Sequence, residues 1–259
     1  MSNAILPRHT TVIDSSDFSF PELDADGLET LQAIAGANRF NRWMYETATR
    51  NLTGNVIEIG SGIGNISAIF SADKRSIHLS DIRENYIEFL QDKFDGDPSV
   101  SGITQLDLVD PDFDDRYSEL LGTFDGLFAL NVVEHIENDM QAIANGRKLL
   151  KRGGRMVILV PACQWLYNQF DQSLEHFRRY NTTSLEHLFK QNDLQIARSH
   201  YFNLAGMPGW FVSGALLKKK TIPAGQMQLF NMLVPMFRIA DRCVFNKIGL
   251  SVLVEGVKQ

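Results

Sequence analysis

Residues 55–70 read NVIEIGSGIGNISAIF and predict a strand, a glycine-rich turn and the start of a helix. The part that reads VIEI is rich in β-branched residues, which favours a short strand inside a sheet. The turn from Gly60 to Gly64 has the spacing GxGxG. Glycine is needed there because the backbone must turn sharply, adopt positive φ and approach a ligand closely. The stretch therefore predicts a small-molecule site at the carboxyl edge of a parallel sheet.

The spacing of the glycines distinguishes two kinds of nucleotide site. A dinucleotide fingerprint needs GxGxxG, whereas Asn65 follows Gly64 in this chain. Glu58, two residues before the turn, would repel a pyrophosphate and suits a positively charged ligand group. A nicotinamide oxidoreductase is therefore the less favoured alternative.

The segment EIGSGIG, from Glu58 to Gly64, resembles the first motif, E/D-x-G-x-G-x-G, of the class I S-adenosylmethionine-dependent methyltransferases. The resemblance implies that S-adenosylmethionine is the cofactor and that S-adenosylhomocysteine is the product. It also implies cofactor contacts from Glu58, Gly60, Ser61, Gly62 and Gly64.

Three later segments follow in the order and at the intervals of that family. Strands predicted over residues 76–79, 102–106 and 124–130 end at Asp81, at Asp107 and at the segment NVVEHI, respectively. The resemblance implies that Asp81 accepts the two ribose hydroxyls and that Asp107 binds the adenine amino group. A helix cap at Asp81 and a solvated acidic loop at Asp107 are the alternatives. The remaining implied contacts come from Ile82, Leu108, Asn131 and Val132.

The order of the predicted elements indicates an α/β fold. We expect a Rossmann-like, doubly wound sheet of seven strands, mostly parallel, with an antiparallel last strand, an N-terminal arm and a cap insertion. The fifth strand is predicted over residues 155–160, after a tight turn at residues 151–154, and the last strand over residues 250–257. We expect a single class I methyltransferase domain, 1–259, made of an arm and helix (1–50), a cofactor-binding core (51–160), a cap insertion with C-terminal helices (161–248) and a final strand (249–259).

A helix predicted over residues 28–51 precedes the first strand and carries aromatic residues among polar ones. In the methyltransferases that the sequence resembles, such a helix covers the methionine end of the cofactor. Arg42 and Trp43 are the candidates for that role, and packing of the aromatic residues onto the sheet is the alternative. Residues 1–27, which contain two prolines, predict an extended arm or lid.

Composition limits the partners and the compartment. The 259 residues carry a formal net charge of −6, so no overall basic field would attract nucleic acid. Cys163 and Cys243 lie far apart and lack metal-ligand spacing, which favours a reducing compartment. The first residues lack the apolar core of a secretory signal, and we expect a cytoplasmic protein.

The segment after the fifth strand, residues 162–180, reads ACQWLYNQFDQSLEHFRRY and interleaves aromatic with charged residues. This mixture predicts a cap that closes over a mostly apolar acceptor, small or lipid-like. The pattern D-x-x-x-x-H-x-R-R-Y resembles one in a bacterial subset of the family. An acceptor carboxylate or a glycolipid could be drawn to Arg178 and Arg179, although arginines on a helix surface are more often solvated.

Residues 203–247 are rich in Met, Phe and Pro and contain Lys218, Lys219 and Lys220. The hydrophobic helix predicted over residues 226–245 could contact a membrane surface or a second subunit. Packing of this helix in the core is the favoured interpretation of its composition.

Two histidines are candidates for the catalytic base. Methyl transfer is an in-line displacement, and a hydroxyl acceptor must also lose a proton. We expect His176 and His135 on opposite sides of the methyl group, with His176 as the base. The alternatives are structural: His135 could cap the following helix, and His176 could pair with Asp171.

A metal-assisted O-methyltransferase is a further alternative, because Glu134, His135 and His176 could meet. E-x-x-E-H patterns hold a divalent ion in ubiquinone-pathway O-methyltransferases and in small-RNA 2′-O-methyltransferases, which this segment resembles in part. Asn131 stands where the first carboxylate should be, so we expect no metal. Outside enzymes, the alternative is a non-catalytic domain that binds S-adenosylmethionine as a sensor or scaffold.

Overall fold

The computed structural model describes residues 25–217 and 224–259, which form one seven-stranded sheet with helices on both faces. The predicted arm lies outside the described residues except for residues 25–27, which begin the first helix. The strands are β1 (Val56–Ile59), β2 (Ile77–Asp81), β3 (Val100–Gln105), β4 (Phe124–Leu130), β5 (Leu150–Pro161), β6 (Leu194–Phe202) and β7 (Ser251–Lys258).

The strand order is β3-β2-β1-β4-β5-β7-β6. Strands β1 to β5 pair in parallel, and β7 is antiparallel to both of its neighbours, β5 and β6. This topology confirms the predicted fold class, including the antiparallel last strand. Parallel strands need crossover helices, which explains the alternation of strands and helices in the chain.

The helices in the described ranges are α1 (Ala25–Ala35), α2 (Asn38–Thr49), α3 (Ser67–Ala72), α4 (Glu84–Lys93), α5 (Phe113–Arg116), α6 (Asp139–Leu149), α7 (Gln169–Ser173), α8 (Thr182–Gln191), α9 (Gly206–Trp210) and α10 (Ala224–Cys243). A π-helical stretch, Phe211–Leu216, continues α9 directly.

Two hydrophobic clusters cover the opposite faces of the sheet. Val56 of β1 belongs to one cluster with Phe70 of α3, and the next residue, Ile57, belongs to the other with Ile143 of α6. This alternation follows from the two-residue period of a strand. Helices therefore bury both faces, as in other parallel sheets.

Two predicted boundaries are wrong. The single helix expected over residues 28–51 is two helices, α1 and α2, because the chain breaks at Gly36 and Ala37, where Ala37 has φ −88° and ψ 60°. The tight turn expected at residues 151–154 belongs to β5 as an irregularity in its pairing with β4. Gly153, with φ +80°, provides the positive φ at that point.

The cap segment begins at the carboxyl end of β5 and returns to it. Cys163 N–H donates to the Tyr180 carbonyl at 2.9 Å, and Tyr180 N–H donates to the Pro161 carbonyl at 2.9 Å. Both ends of the cap are therefore fixed at the sheet edge where β1, β2 and β4 also end.

Candidate active site

A cavity of about 400 Å³ opens at the carboxyl edge of the sheet. Its walls come from the turn after β1, the ends of β2 and β4, helices α1 and α2, and the cap. The predicted cofactor contacts that line it are Glu58, Gly60, Ser61, Gly62, Asp81, Ile82, Asp107, Leu108, Asn131 and Val132. His135 and His176 line it as well, so the structure brings together most of the residues that the sequence singled out.

The glycine turn lies against the end of β2. Gly62 N–H donates to the Asp81 carboxylate at 2.8 Å, and Ser61 N–H donates to the Ser80 carbonyl at 2.8 Å. Gly60 has φ +71°, and a Cβ there would lie 2.4 Å from a methyl of Val132. The turn is thus held between two strand ends, with its backbone exposed to the cavity.

Gly64, which was predicted to contact the cofactor, is not among the residues that line the cavity. A Cβ at Gly64 would lie 2.7 Å from a ring carbon of Phe94, just after α4. The residue has φ +72° and serves the close packing of the turn on α4.

Glu58 and Asp81 are buried carboxylic acids in the cavity wall. Ser67 Oγ donates to Glu58 at 2.5 Å, but burial dominates and raises the pKa of Glu58 to about 8. Burial also raises the pKa of Asp81, although hydrogen bonds from the backbone N–H groups of Arg83 and Gly62 act to lower it. A positive charge or hydroxyl groups brought into the cavity would favour the ionised forms.

The end of β3 provides a second polar contact point. Asp107 accepts a hydrogen bond from Val109 N–H at 2.8 Å, and its own N–H donates to the Tyr117 hydroxyl at 3.0 Å. Burial raises the pKa of Asp107. Since it also lines the cavity beside Leu108 and Ile82, the location fits a ligand contact better than a solvated loop.

The helix before β1 reaches the cavity through residues that the sequence analysis did not select. Phe40, Asn41 and Met44 of α2 line it, whereas Arg42 and Trp43 do not. Arg42 pairs with Asp73 at 2.7 Å, and Trp43 is buried against Phe202 with ring centroids 4.4 Å apart. Residues 40, 41 and 44 share one side of α2, and Arg42 and Trp43, which were predicted to cover the cofactor, point elsewhere in this structure. The residues of α1 in the wall, also missed, are Thr30, Leu31 and Ile34.

His135 and His176 contact each other edge to face, with ring centroids 4.6 Å apart and an interplanar angle of 83°. The two rings are in direct contact, and this arrangement leaves no room for a methyl group between them. Burial lowers the pKa of His135 to about 3, with a further contribution from His176. His135 is therefore neutral and weakly basic.

Asp171 orients His176 within the cap. His176 Nδ1 lies 2.9 Å from an oxygen of Asp171, and Arg179 Nε donates to the same oxygen at 2.8 Å. Burial opposes ionisation of Asp171, but the hydrogen bond from His176 and the charge of Arg179 outweigh it and lower its pKa. An ionised Asp171 holds the proton on Nδ1 and leaves Nε2 of His176 as a proton acceptor.

Glu134 is fully buried and lines the cavity. Neither oxygen of its carboxyl group has a hydrogen-bond partner among the described residues. Burial raises its pKa to about 8, although the Arg179 charge favours ionisation. Glu134, His135 and His176 each offer one ligand atom, and these atoms lie within 4.8 Å of one another. The sequence suggested this meeting only as an alternative.

The two cap arginines have different environments. Arg178 pairs with Asp139 at 2.7 Å on the outer side. Arg179 is buried, lies over the Trp210 ring at 4.8 Å and lines the cavity. Its Nη2 and the Trp210 Nε1 have no hydrogen-bond partner among the described residues. Both residues line a mostly apolar cavity, and these two buried donor atoms lie in its wall.

A mostly parallel sheet of this order, with a glycine turn after β1 and acidic residues at the ends of β2 and β3, is typical of the fold of the class I methyltransferases. A family model described as a methyltransferase domain matches residues 57–156, from β1 into β5. Residues 57–156 are thus similar in sequence to a methyltransferase domain, and the sheet has the strand order of the class I methyltransferase fold, as the motifs predict. A search of curated protein sequences finds no significant match.

Solved structures with the same fold include enzymes and proteins of inferred activity. Phosphoethanolamine N-methyltransferase 2 from Haemonchus contortus, in complex with S-adenosyl-L-methionine, superposes with a TM-score of 0.61 and 15% identity over 96% of this chain and 60% of its own. The present chain therefore spans less than two thirds of that enzyme's length.

Two further structures are closer in length. A putative methyltransferase from Bacillus halodurans has a TM-score of 0.56 and 13% identity, over 84% of this chain and 98% of its own. A putative sarcosine dimethylglycine methyltransferase from Galdieria sulphuraria has a TM-score of 0.56 and 13% identity, over 85% and 86%. These similarities establish the fold and leave the acceptor open.

Proposed function

We propose that the protein transfers a methyl group from S-adenosylmethionine to the oxygen or nitrogen of a small or lipid-like acceptor. The observation that carries the proposal is the single cavity that joins the glycine turn to the histidine pair of the cap. Donor and acceptor would share it, which is the alignment that an in-line displacement needs.

We assign one half of the cavity to the cofactor because of the charge and hydrogen-bonding capacity of its side chains. Glu58 would meet the positively charged end of the cofactor, Asp81 the ribose hydroxyls and Asp107 the adenine amino group. Val132 and Leu108 supply apolar contact beside these groups. The H. contortus enzyme with S-adenosyl-L-methionine bound supports this cofactor for the fold.

The acceptor half lies under the cap. His176 would remove the acceptor proton through Nε2, because Asp171 fixes its tautomer and His135 is too weak a base. Arg179 and Trp210 offer donors to a polar group of the acceptor, while the apolar lining suits its carbon skeleton.

Calorimetry and an assay of S-adenosylhomocysteine release test the proposal together. We expect S-adenosylmethionine to bind and NAD to give no heat, with release of S-adenosylhomocysteine when an acceptor is present. Gly62→Val should abolish binding, because the residue has φ +53° and a Cβ there would lie 3.0 Å from a methyl of Leu31, which lines the cavity. Gly96→Val is the control, since Gly96 has φ +72° with open space around it. Binding without turnover on any acceptor would instead indicate a sensor or scaffold.

A metal-assisted mechanism is the second candidate, and the unpartnered Glu134 favours it. A divalent cation held by Glu134, His135 and His176 would satisfy that carboxylate and polarise an acceptor hydroxyl. Asp171 would then support a histidine ligand from behind, as carboxylates do at many metal sites. The absence of a carboxylate at Asn131 is the argument against it, and catalysis without metal stays our prediction.

Chelation separates the two mechanisms. Turnover by protein dialysed against EDTA should equal turnover in added Mg²⁺ or Zn²⁺ if His176 acts as the base. A strong loss that either metal restores, and that Glu134→Gln makes permanent, would establish the metal-assisted route. Calorimetric titration of the same protein with each ion reports binding separately from activity.

A further inference from the structure

Helix α10 has one face in the protein and an apolar face in solvent. Met227, Val234 and Asp241, seven residues apart, are buried. On the opposite side, Leu229, Met232, Met236 and Ile239 are between 55% and 65% exposed. A surface helix normally carries charged residues on its solvent side, yet residues 224–237 contain none.

The exposed apolar surface continues onto the π-helical stretch that follows α9. Leu216 and Leu217 are 64% and 58% exposed. Ser213 Oγ donates to Gln226 Oε1 at 3.1 Å, which joins this stretch to the start of α10. We call the six exposed residues Leu216, Leu217, Leu229, Met232, Met236 and Ile239 the apolar face.

The apolar face lies on the outer side of the cavity wall. The same two elements line the cavity through Ser213, Gln226 and Met227, which point the other way. Whatever covers the face therefore lies next to the compartment in which the acceptor would react.

Charge around the apolar face differs from that of the whole chain. Residues 203–250 contain six basic residues and one acidic residue, whereas the chain has a net charge of −6. The acidic one, Asp241, is buried and accepts backbone N–H groups from Asn203 and Leu204. Arg242 and Lys247 are exposed near the end of α10. Three of the basic residues, at 218–220, lie outside the described residues.

We propose that the apolar face docks the protein on an anionic lipid surface. An apolar stripe beside basic residues is the pattern of helices that lie in the plane of a membrane interface. Among the described residues, no helix combines the length and apolar character needed to cross a bilayer, so α10 would lie on the surface. A second copy fits less well, because Arg238 already pairs with Glu46 and two such faces would bring the exposed Arg242 and Lys247 of both copies together.

Co-sedimentation with lipid vesicles tests the proposal. Wild-type protein is mixed with vesicles of phosphatidylcholine alone or with added phosphatidylglycerol. We expect an at least about tenfold higher bound fraction on the anionic vesicles, and a lower fraction at high salt. Equal recovery in the supernatant with both vesicle types overturns the proposal. All of these measurements use the wild-type protein, so their outcome does not depend on whether a variant folds.

Substitutions locate the contact. Met232→Glu with Ile239→Glu should abolish sedimentation, since both side chains are exposed and the fold does not need them. Phe89→Glu on α4, where the phenyl ring is 46% exposed, is the matched control and should sediment like wild type. Light scattering without vesicles adds a second readout. A wild-type dimer that the double variant dissociates overturns lipid docking and assigns the face to a second copy.

Discussion

At the scale of single residues, the buried Glu58 gives cofactor binding a pH dependence. With a pKa of about 8, Glu58 is mostly protonated at pH 7 in the ligand-free protein. A cationic ligand, however, is attracted only by the ionised carboxylate. Binding must therefore release a proton below pH 8, so affinity for S-adenosylmethionine should rise by up to about tenfold per pH unit between pH 6 and 8. Calorimetry at several pH values measures how the affinity changes with pH, and calorimetry in buffers of different ionisation enthalpy measures how many protons binding releases. Glu58→Gln should bind weakly with no slope, and a flat wild-type profile would refute this role.

Gly64 of the turn after β1 and Gly96 after α4 differ in what a side chain would meet. Gly64→Ala should destabilise the protein because the residue has φ +72° and its Cβ would press on Phe94. Gly96→Ala is matched, since Gly96 has the same φ and no atom within 4 Å. The left-handed conformation alone costs about 1–2 kcal/mol, and Gly64→Ala should exceed that in urea unfolding. If the two variants lose the same amount of unfolding free energy, the side chain of Phe94 moves aside without cost and the contact does not matter.

At the scale of elements, the cap segment couples Asp171 to His176. His176→Ala should lower kcat by about a hundredfold or more, the range for losing a general base, with little change in affinity for S-adenosylmethionine. Asp171→Asn should lower kcat and shift the pH profile of kcat, because the amide no longer fixes the tautomer of His176. His187→Ala, an exposed histidine on α8, is the control and should leave both unchanged. Normal turnover by His176→Ala would mean that proximity alone drives transfer.

The sequence predicted the strands and the cofactor edge because both depend on local signals. Apolar runs mark β1 and β4, and each ends at a polar or glycine motif whose position in the sheet follows from topology. The face of α2 was not predictable in this way. Phe40 and Trp43 are both aromatic and both pack against Phe202, yet only Phe40 lines the cavity, so the residue type alone does not identify the cavity side.

The cap and α10 show a second limit of sequence reasoning. Composition identified the cap residues, but the contact between His135 and His176 and the missing partners of Glu134 arise from distant segments meeting. Helix α10 is apolar enough to suggest core packing, yet its Leu229, Met232, Met236 and Ile239 are exposed to solvent. The hydrophobicity of a side chain indicates that its burial is favourable, but it does not indicate whether the core, a lipid surface or another protein buries it.

At the scale of the whole molecule, the cavity joins α1 and α2, the sheet edge and the cap, so a bound cofactor should tie these parts together. S-adenosylhomocysteine at a hundred times its Kd would stabilise the folded state by about 2.7 kcal/mol, which for a chain of this size raises Tm by roughly 5–10 °C. NAD at the same concentration should leave Tm unchanged, and Gly62→Val should lose the shift.

Hydrogen exchange can locate that stabilisation. Helix α1 contributes Leu31 and Ile34 to the cavity wall, and its amides should exchange more slowly when S-adenosylhomocysteine is bound. Helix α8, whose buried residues Leu185 and Phe189 pack in the cluster on one face of the sheet and whose residues do not line the cavity, is the internal control. Because a cofactor in the cavity would contact α1 and not α8, protection should concentrate in α1 and the turn after β1. Protection spread equally over α1 and α8 would mean that the ligand acts on global stability and leaves α1 without direct contact.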